Sequence, residues 1–171
     1  MILGLIVSLA LAITSCEKET ITRGTLDYKF VPVTASDGYF QERQIAYPEN
    51  ITISGYANSI NDFSFLGSMV EVTGNLMAGD VIRGLVIDID GVQYLFPDIP
   101  VYKNGEVISL VDSRSNGVFY HFMSDAINDM RHYGKQDIIV SGYLEDRYGR
   151  DVAGATVAVN IYNDLDVRVN N

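Results

Sequence analysis

The stretch LVIDIDGVQYLF, from Leu85 to Phe96, contains the strongest strand pattern in the chain. Apolar residues alternate with other residues on both sides of the central Asp90-Gly91 pair, as expected when one face of a strand is buried. An Asp-Gly pair accepts the positive φ angles that a two-residue hairpin turn requires. The stretch therefore predicts a β-hairpin whose turn is formed by residues 90–91.

Strand patterns also occur on both sides of this hairpin. Alternating or β-branched runs predict further strands over residues 26–33, 51–56, 69–76, 117–122, 137–144 and 155–162. Asn104-Gly105 is a second turn signal, which joins residues 99–103 with residues 106–111. Repeated glycines after aliphatic pairs, as in Ile138-Ile139-Val140-Ser141-Gly142, indicate bulges or bends in the sheets.

Other segments predict loops or the edge of a sheet. Residues 35–50 are rich in turn formers and predict mostly turn and loop, and residues 146–150 predict a tight turn. The tail after Tyr162 is largely polar, and Asp164-Leu165-Asp166 is interpreted as a solvated turn. Alternating apolar residues in this tail predict a last edge strand, and they are Leu165, Val167 and Val169.

One helix is predicted after the amino-terminal apolar segment. Ser124 is a suitable N-cap, and Gly134 suits the residue after the last helical turn. Apolar residues between them fall at helical spacing on one face, at Ala126, Ile127, Met130 and Tyr133. Such a short helix is not stable alone, so we expect it to pack on the strands.

Many short strands with a single short helix predict an all-β fold. We expect a two-sheet β-sandwich with one short helix between late strands. The order strand, short helix, strand, tight turn, strand resembles the end of immunoglobulin-like domains, in which a helical turn crosses between the sheets. Gly154-Ala155-Thr156-Val157 is similar to a stretch of bacterial immunoglobulin-like and carboxypeptidase-regulatory-like domains. The resemblance implies an immunoglobulin-like β-sandwich and no particular activity.

The amino-terminal segment MILGLIVSLALAITSC contains no charged residue and ends at Cys16, the only cysteine. An apolar run of about 15 residues is too short to span a bilayer, which needs about 20, but it matches a signal-peptide core. Small residues before the cysteine resemble the lipobox of bacterial lipoproteins, although no Lys or Arg precedes Lys18. The resemblance implies lipidation of Cys16. The alternative is a buried amino-terminal helix with a free thiol.

Three regions follow from this interpretation. Residues 1–15 are the expected signal peptide, residues 16–24 a flexible tether, and residues 25–171 the β-sandwich domain. The cluster Glu17-Lys18-Glu19-Thr20 resembles the export signal of Bacteroidetes surface lipoproteins. This resemblance implies an outer-membrane, lipid-anchored protein that faces either the cell surface or the periplasm.

Charge and composition narrow the range of partners. The formal net charge is −10, which disfavours nucleic acid and anionic lipid surfaces because both would repel the protein. Lipidation would leave no thiol for a disulfide, so packing must supply the stability. The expected attachment to the membrane therefore depends on the lipid at Cys16.

Candidate catalytic and metal-binding residues are few. The only histidines, His121 in the predicted strand and His132 on the predicted helix, are interpreted as structural because two histidines alone make a poor zinc site. Asp88, Asp90 and Gly91 resemble the start of a calcium loop, but the next residues supply no further oxygen ligands. No catalytic residue, metal ligand or cofactor is predicted.

Aromatic residues suggest a binding surface instead. Many lie in or beside predicted loops and strand ends, namely Tyr39, Phe40, Tyr47, Tyr56, Tyr94, Tyr102, Tyr143, Tyr148 and Tyr162. Exposed tyrosines can anchor protein partners or stack on sugar rings. Most of them could equally cover the sheets.

The sequence is best explained by a membrane-anchored, secreted lipoprotein that acts as a non-enzymatic interaction or adhesion module, with a protein or glycan ligand. One alternative is a glycan-binding accessory lipoprotein. A second is a small hydrolase, which would need two carboxylates about 5–10 Å apart in a cleft.

Overall fold

The computed structural model describes residues 19–55, 59–112 and 116–170. These residues form one 3₁₀ turn (Pro48–Asn50), one α-helix, α1 (Gly117–Tyr133), and a series of β-strands. The strands are β1 (Glu19–Lys29), β2 (Val33–Thr34), β3 (Tyr39–Ala46), β4 (Thr52–Ile53), β5 (Ser59–Gly74), β6 (Val81–Ile89), β7 (Val92–Leu95), β8 (Ile99–Pro100), β9 (Ile108–Asp112), β10 (Gln136–Glu145) and β11 (Thr156–Asn170).

The strands form two antiparallel sheets that pack against each other. Sheet one has the order β4-β1-β11-β5-β9, with β2 beside one end of β11. Sheet two has the order β3-β10-β6-β7, with β8 beside the start of β6. In chain order, helix α1 follows β9 of sheet one and precedes β10 of sheet two. The prediction of an all-β, two-sheet sandwich with a helix between late strands is confirmed.

The hairpin predicted at Asp90-Gly91 is confirmed. Strands β6 and β7 pair directly up to Ile89 and Val92, and both turn residues have positive φ, 53° for Asp90 and 87° for Gly91. The Asp88 side chain accepts a hydrogen bond of 2.9 Å from the Gly91 amide. The turn therefore has the backbone conformation that the Asp-Gly pair predicts.

The longest strands of sheet one are longer than any strand of sheet two, and sheet one packs against two other parts of the fold. Strands β5 and β11 contain 16 and 15 residues, whereas the longest strand of sheet two contains 10. The part of β5 around Phe65 faces α1, because the Phe65 and Tyr120 rings are 5.1 Å apart. Arg131 of the helix also contacts Asp62 at 3.3 Å. Sheet one therefore buries one face against both sheet two and the helix.

The helix is longer than predicted and begins earlier. Residues 117–122 were expected to form a strand, but they form the first turns of α1, which is capped by Asn116 instead of Ser124. Aromatic and β-branched residues there have strand propensity, and packing overrides it. The buried residues follow helical spacing, at Phe119, Met123, Ala126, Ile127 and Met130. Gly134 ends the helix with φ 74°, as predicted.

Two segments predicted to be irregular are strands. Residues 19–24 of the expected tether belong to β1, and the loop expected over residues 35–50 contains β3. Both segments can be polar and still form strands, because few of their side chains reach the core. In β3 only Phe40 and Ala46 are buried. Residues 16–18 of the tether prediction lie outside the described residues.

Strand pairing also differs from the prediction in three places. The tail is not an edge strand, because residues 163–170 continue β11 at the centre of sheet one. The expected strand over residues 51–56 is reduced to β4, and its last residue, Tyr56, is not described. The segments on either side of Asn104-Gly105 pair with β6 and β5, in different sheets.

Gly74→Ala is expected to lower the free energy of unfolding by about 2 kcal/mol or more, because a β-carbon there would lie 2.0 Å from the Thr156 carbonyl oxygen. Gly117→Ala is the control. It has open space and lies at the helix start, so it should be neutral or stabilising by up to about 1 kcal/mol. Urea unfolding measures both, and equal losses would contradict the packing described at Gly74.

Candidate functional site

The predicted lipidation residue, Cys16, lies outside the described residues. It precedes Glu19, the first described residue, by three positions in the sequence. Across residues 19–55, 59–112 and 116–170, no helix is long and apolar enough to cross a bilayer. Lipidation of Cys16 therefore stays a prediction.

The two histidines do not come together. His121 and His132 both lie on the exposed side of α1, so the placement of His121 in a strand was wrong. Eleven positions along a helix separate two residues by about 16 Å. Within the described part of the chain, no group of three or more His, Cys, Asp and Glu residues is placed to hold a metal ion.

The carboxylates at the hairpin support the turn. Asp88 accepts hydrogen bonds from the Gly91 amide and from the Gln93 side chain, at 2.9 and 2.8 Å. Asp90 accepts a hydrogen bond of 3.0 Å from the Asp137 amide on β10. These contacts join the turn to the neighbouring strand and agree with the interpretation of this pair as turn residues.

The predicted aromatic residues divide into packed and displayed groups. Phe40 is buried, Tyr94 and Tyr162 are half-buried, and Tyr56 is outside the described residues. Tyr94 packs in an aromatic cluster with its ring centre 4.9 Å from that of Phe119. The exposed members are Tyr39, Tyr47, Tyr102, Tyr143 and Tyr148.

Two of the displayed tyrosines lie side by side on the outward face of sheet two. Tyr39 of β3 is paired in register with Tyr143 of β10, and their ring centres are 5.1 Å apart. Apolar side chains lie further along this face, including Ile45 and Leu95, which are 45% and 64% exposed. We call these four residues, with Gln41, Arg43, Val86, Ile139 and Ser141, the sheet-two face.

An ion pair joins two strands on the outward face of sheet two. Arg43 reaches across to β10 and donates to Asp137 from two nitrogens, with a distance of 2.6 Å from Nε to Oδ1. This bond lowers the pKa of the Asp137 carboxyl below its ordinary value. Arg43 and Asp137 therefore cancel each other's charge where β3 and β10 meet, within a chain of net charge −10.

A polar cavity of about 320 Å³ lies on sheet one; we call it the sheet-one pocket. It is lined by Arg23, Gly24, Thr25, Thr52, Ile53, Ser54, Leu66 and Asp164. Strand register forms its base: Thr52 is paired with Thr25, Thr25 with Asp164, and Asp164 with Gly67. The pocket therefore crosses four adjacent strands, β4, β1, β11 and β5.

A β-bulge lies on the β5 side of the pocket. The register of β5 against β11 shifts by one residue between Gly67 and Phe65, so Leu66 is an additional residue in the ladder. Gly67 places no side chain beside Asp164. Bulges redirect side chains and often occur next to binding sites. Leu66 thus forms one wall of the pocket.

Sequence reasoning did not identify this pocket. Arg23 fell in the expected tether, and Asp164 was interpreted as part of a solvated turn, which the structure shows to be wrong. Thr25 and Thr52 give no local signal, because their relation depends on the pairing of β1 with β4. A site built across strands becomes visible only when the register is known.

No protein-family model, curated protein or solved structure matches the chain. Functional conclusions therefore rest on the chemistry of the residues. The sheet-two face offers aromatic and aliphatic contacts, which suit a macromolecular partner. The sheet-one pocket offers hydroxyl, carboxylate and guanidinium groups, which suit a small polar ligand.

A buried phenol lies between the two sheets. The Tyr28 hydroxyl on β1 donates to Oε1 of Gln136 on β10, so the bond joins sheet one to sheet two. Both side chains are fully buried. Burial, and to a smaller extent the charge of Asp90, raises the pKa of the Tyr28 phenol. The folded protein therefore retains this proton where the unfolded chain releases it.

The folded state is expected to lose stability as the pH rises above about 10, the ordinary pKa of tyrosine. Ionisation of Tyr28 then favours the unfolded chain, by up to about 1.4 kcal/mol for each pH unit below the raised pKa. Urea unfolding from pH 8 to 11 measures this slope. Tyr28→Phe should reduce it, whereas Tyr133→Phe, at a residue 78% exposed, should not. Equal slopes for both variants would contradict this role of Tyr28.

Proposed function

We propose that the protein is a membrane-anchored, secreted lipoprotein of the outer membrane that acts as a non-enzymatic interaction or adhesion module. The anchor is a lipid on Cys16, and the module is the β-sandwich. The apolar segment ending in small residues before a single cysteine supports the anchor. The exposed sheet-two face supports the interaction role, and its partner is a protein.

The observation that carries the interaction role is the Tyr39–Tyr143 pair with its apolar neighbours. Tyrosine and arginine are enriched at protein interfaces, where aromatic side chains supply most of the binding energy. Arg43 is paired with Asp137, so these two residues add no net charge to the face. The Arg43–Asp137 pair therefore neither attracts nor repels a protein partner through net charge.

The position of β1 defines how the module would be held at the membrane. Glu19 is paired with Asn170 at one end of sheet one, and three residues of chain span at most about 11 Å. The turns at residues 35–38, 75–80 and 146–155 lie at the other end, where β1 finishes. A lipid on Cys16 would hold the Glu19 end close to the bilayer, with these turns away from it.

Cys16→Ala should abolish incorporation of labelled palmitate and move the protein from the membrane fraction to the soluble fraction. Its circular dichroism and unfolding should stay unchanged, because the described fold begins at Glu19. Ser15→Ala is the matched control, since it keeps a small residue before the cysteine and should be labelled normally. Label on the Cys16→Ala protein would overturn the anchor.

A photo-crosslinking residue at Leu95 should capture a protein partner in producing cells, whereas one at Val107 should not. Val107 is 62% exposed and lies in the loop between β8 and β9, so it controls for exposure. With the identified partner purified, Tyr143→Ala should weaken binding at least tenfold, or by about 1.4 kcal/mol, and Val107→Ala should not. Equal capture at both positions would contradict the proposed docking face.

Glycan binding is a second candidate function. The sheet-one pocket favours it, because its hydroxyl and charged groups can exchange hydrogen bonds with sugar hydroxyls. The displayed Tyr39 and Tyr143 rings could also stack on a sugar. These two surfaces lie on opposite sheets, so separate variants can test them.

A further inference from the structure

We infer that the sheet-one pocket binds a neutral, hydroxyl-rich ligand of one or two sugar rings. The inference rests on the second candidate function, glycan binding, and assigns it to a site that contains no tyrosine. It is independent of the docking of a protein on the sheet-two face.

The pocket offers hydrogen-bond donors and acceptors close together. Threonine hydroxyls both donate and accept, carboxylates accept, and guanidinium groups donate. Thr52, Thr25 and Asp164 lie on three adjacent strands in one row, and neighbouring strands are about 4.8 Å apart. Sugar hydroxyls act as both donors and acceptors, so they can exchange hydrogen bonds with the groups of such a row.

Backbone contacts fix the outer wall of the pocket. The Ser54 amide donates to the Arg23 carbonyl at 3.2 Å, and the Thr22 hydroxyl donates to the Ser54 carbonyl at 3.2 Å. These bonds extend the short pairing between β4 and β1 beyond Ile53. The polar groups are therefore presented from an ordered surface, which reduces the entropy lost when a ligand binds.

The charges point to a neutral ligand. Among the lining side chains, Arg23 and Asp164 carry opposite charges, so their formal sum is zero. Arg23 also forms an ion pair of 3.2 Å with Asp166. An anionic sugar would be repelled by the net charge of −10. The lining itself carries no net formal charge that would select a cationic sugar.

The size and shape suit one or two rings. A cavity of about 320 Å³ is at the lower end of the range for small-molecule sites, which begins at about 300 Å³. Leu66 supplies an apolar wall against which the carbon–hydrogen face of a sugar can pack.

Nuclear magnetic resonance titration tests the site with methyl glycosides of glucose, galactose, mannose and N-acetylglucosamine. At least one should shift the amide signals of residues 23–25 and 52–54. Thr25→Val and Thr52→Val keep the β-branched shape and remove a hydroxyl, so each should weaken binding about three- to tenfold. Thr73→Val removes a hydroxyl elsewhere on β5 and should leave binding unchanged. Methyl glucuronide and glucosamine should bind more weakly than the neutral glycosides.

Other outcomes separate the possible failures. Shifts confined to Tyr39 and Tyr143, or binding that neither threonine variant weakens, would overturn the assignment to this pocket and keep glycan binding. A preference for a charged sugar would overturn the choice of a neutral ligand. No shift with any of these sugars would overturn both the assignment to this pocket and the glycan-binding function. It would not affect the proposal of a protein partner, which the photo-crosslinking experiment tests separately.

Discussion

Strand β11 lies between β1 and β5, and both partners pair with it along most of its length. It is paired in register with β1 from Asn160 to Asn170, and with β5 from Val157 onward. Alternate side chains along most of β11 are buried in the core, while the intervening ones face outward. The core, the row of polar groups on sheet one and the position of the first described residue all depend on this central strand.

Local signals in the sequence predict the parts of the fold that form locally. The Asp90-Gly91 turn needs only two residues that accept positive φ, and it was predicted correctly. Gly134 was recognised as the end of α1 for the same reason. Strand β10 was predicted within one residue at each end, because its buried and outward residues alternate regularly. Such features require no knowledge of distant contacts.

The remaining errors have a shared physical cause. Phe119 and its aromatic neighbours have strand propensity, and packing overrides it: Phe119 contacts Tyr94 of sheet two, and Tyr120 contacts Phe65 of sheet one. Strand β3 and the start of β1 contain polar residues that an edge or an outward face tolerates, so their alternation is weak. The tyrosine pair of the sheet-two face was foreseen only as exposed aromatics. The sheet-one pocket was not foreseen, because register between distant strands brings Thr25 and Asp164 together.

The antiparallel pairing of β1 with β11 has a mechanical consequence. Ladder hydrogen bonds lie perpendicular to the strands, so a pull on Glu19 along the axis of β1 loads the bonds to β11 in shear. Eleven residue pairs then resist together, from Glu19–Asn170 to Lys29–Asn160. A pull on Asn170 directed away from the sheet would instead separate the same pairs one after another. The resistance of this domain to force therefore depends on the direction in which the load is applied to the β1–β11 ladder.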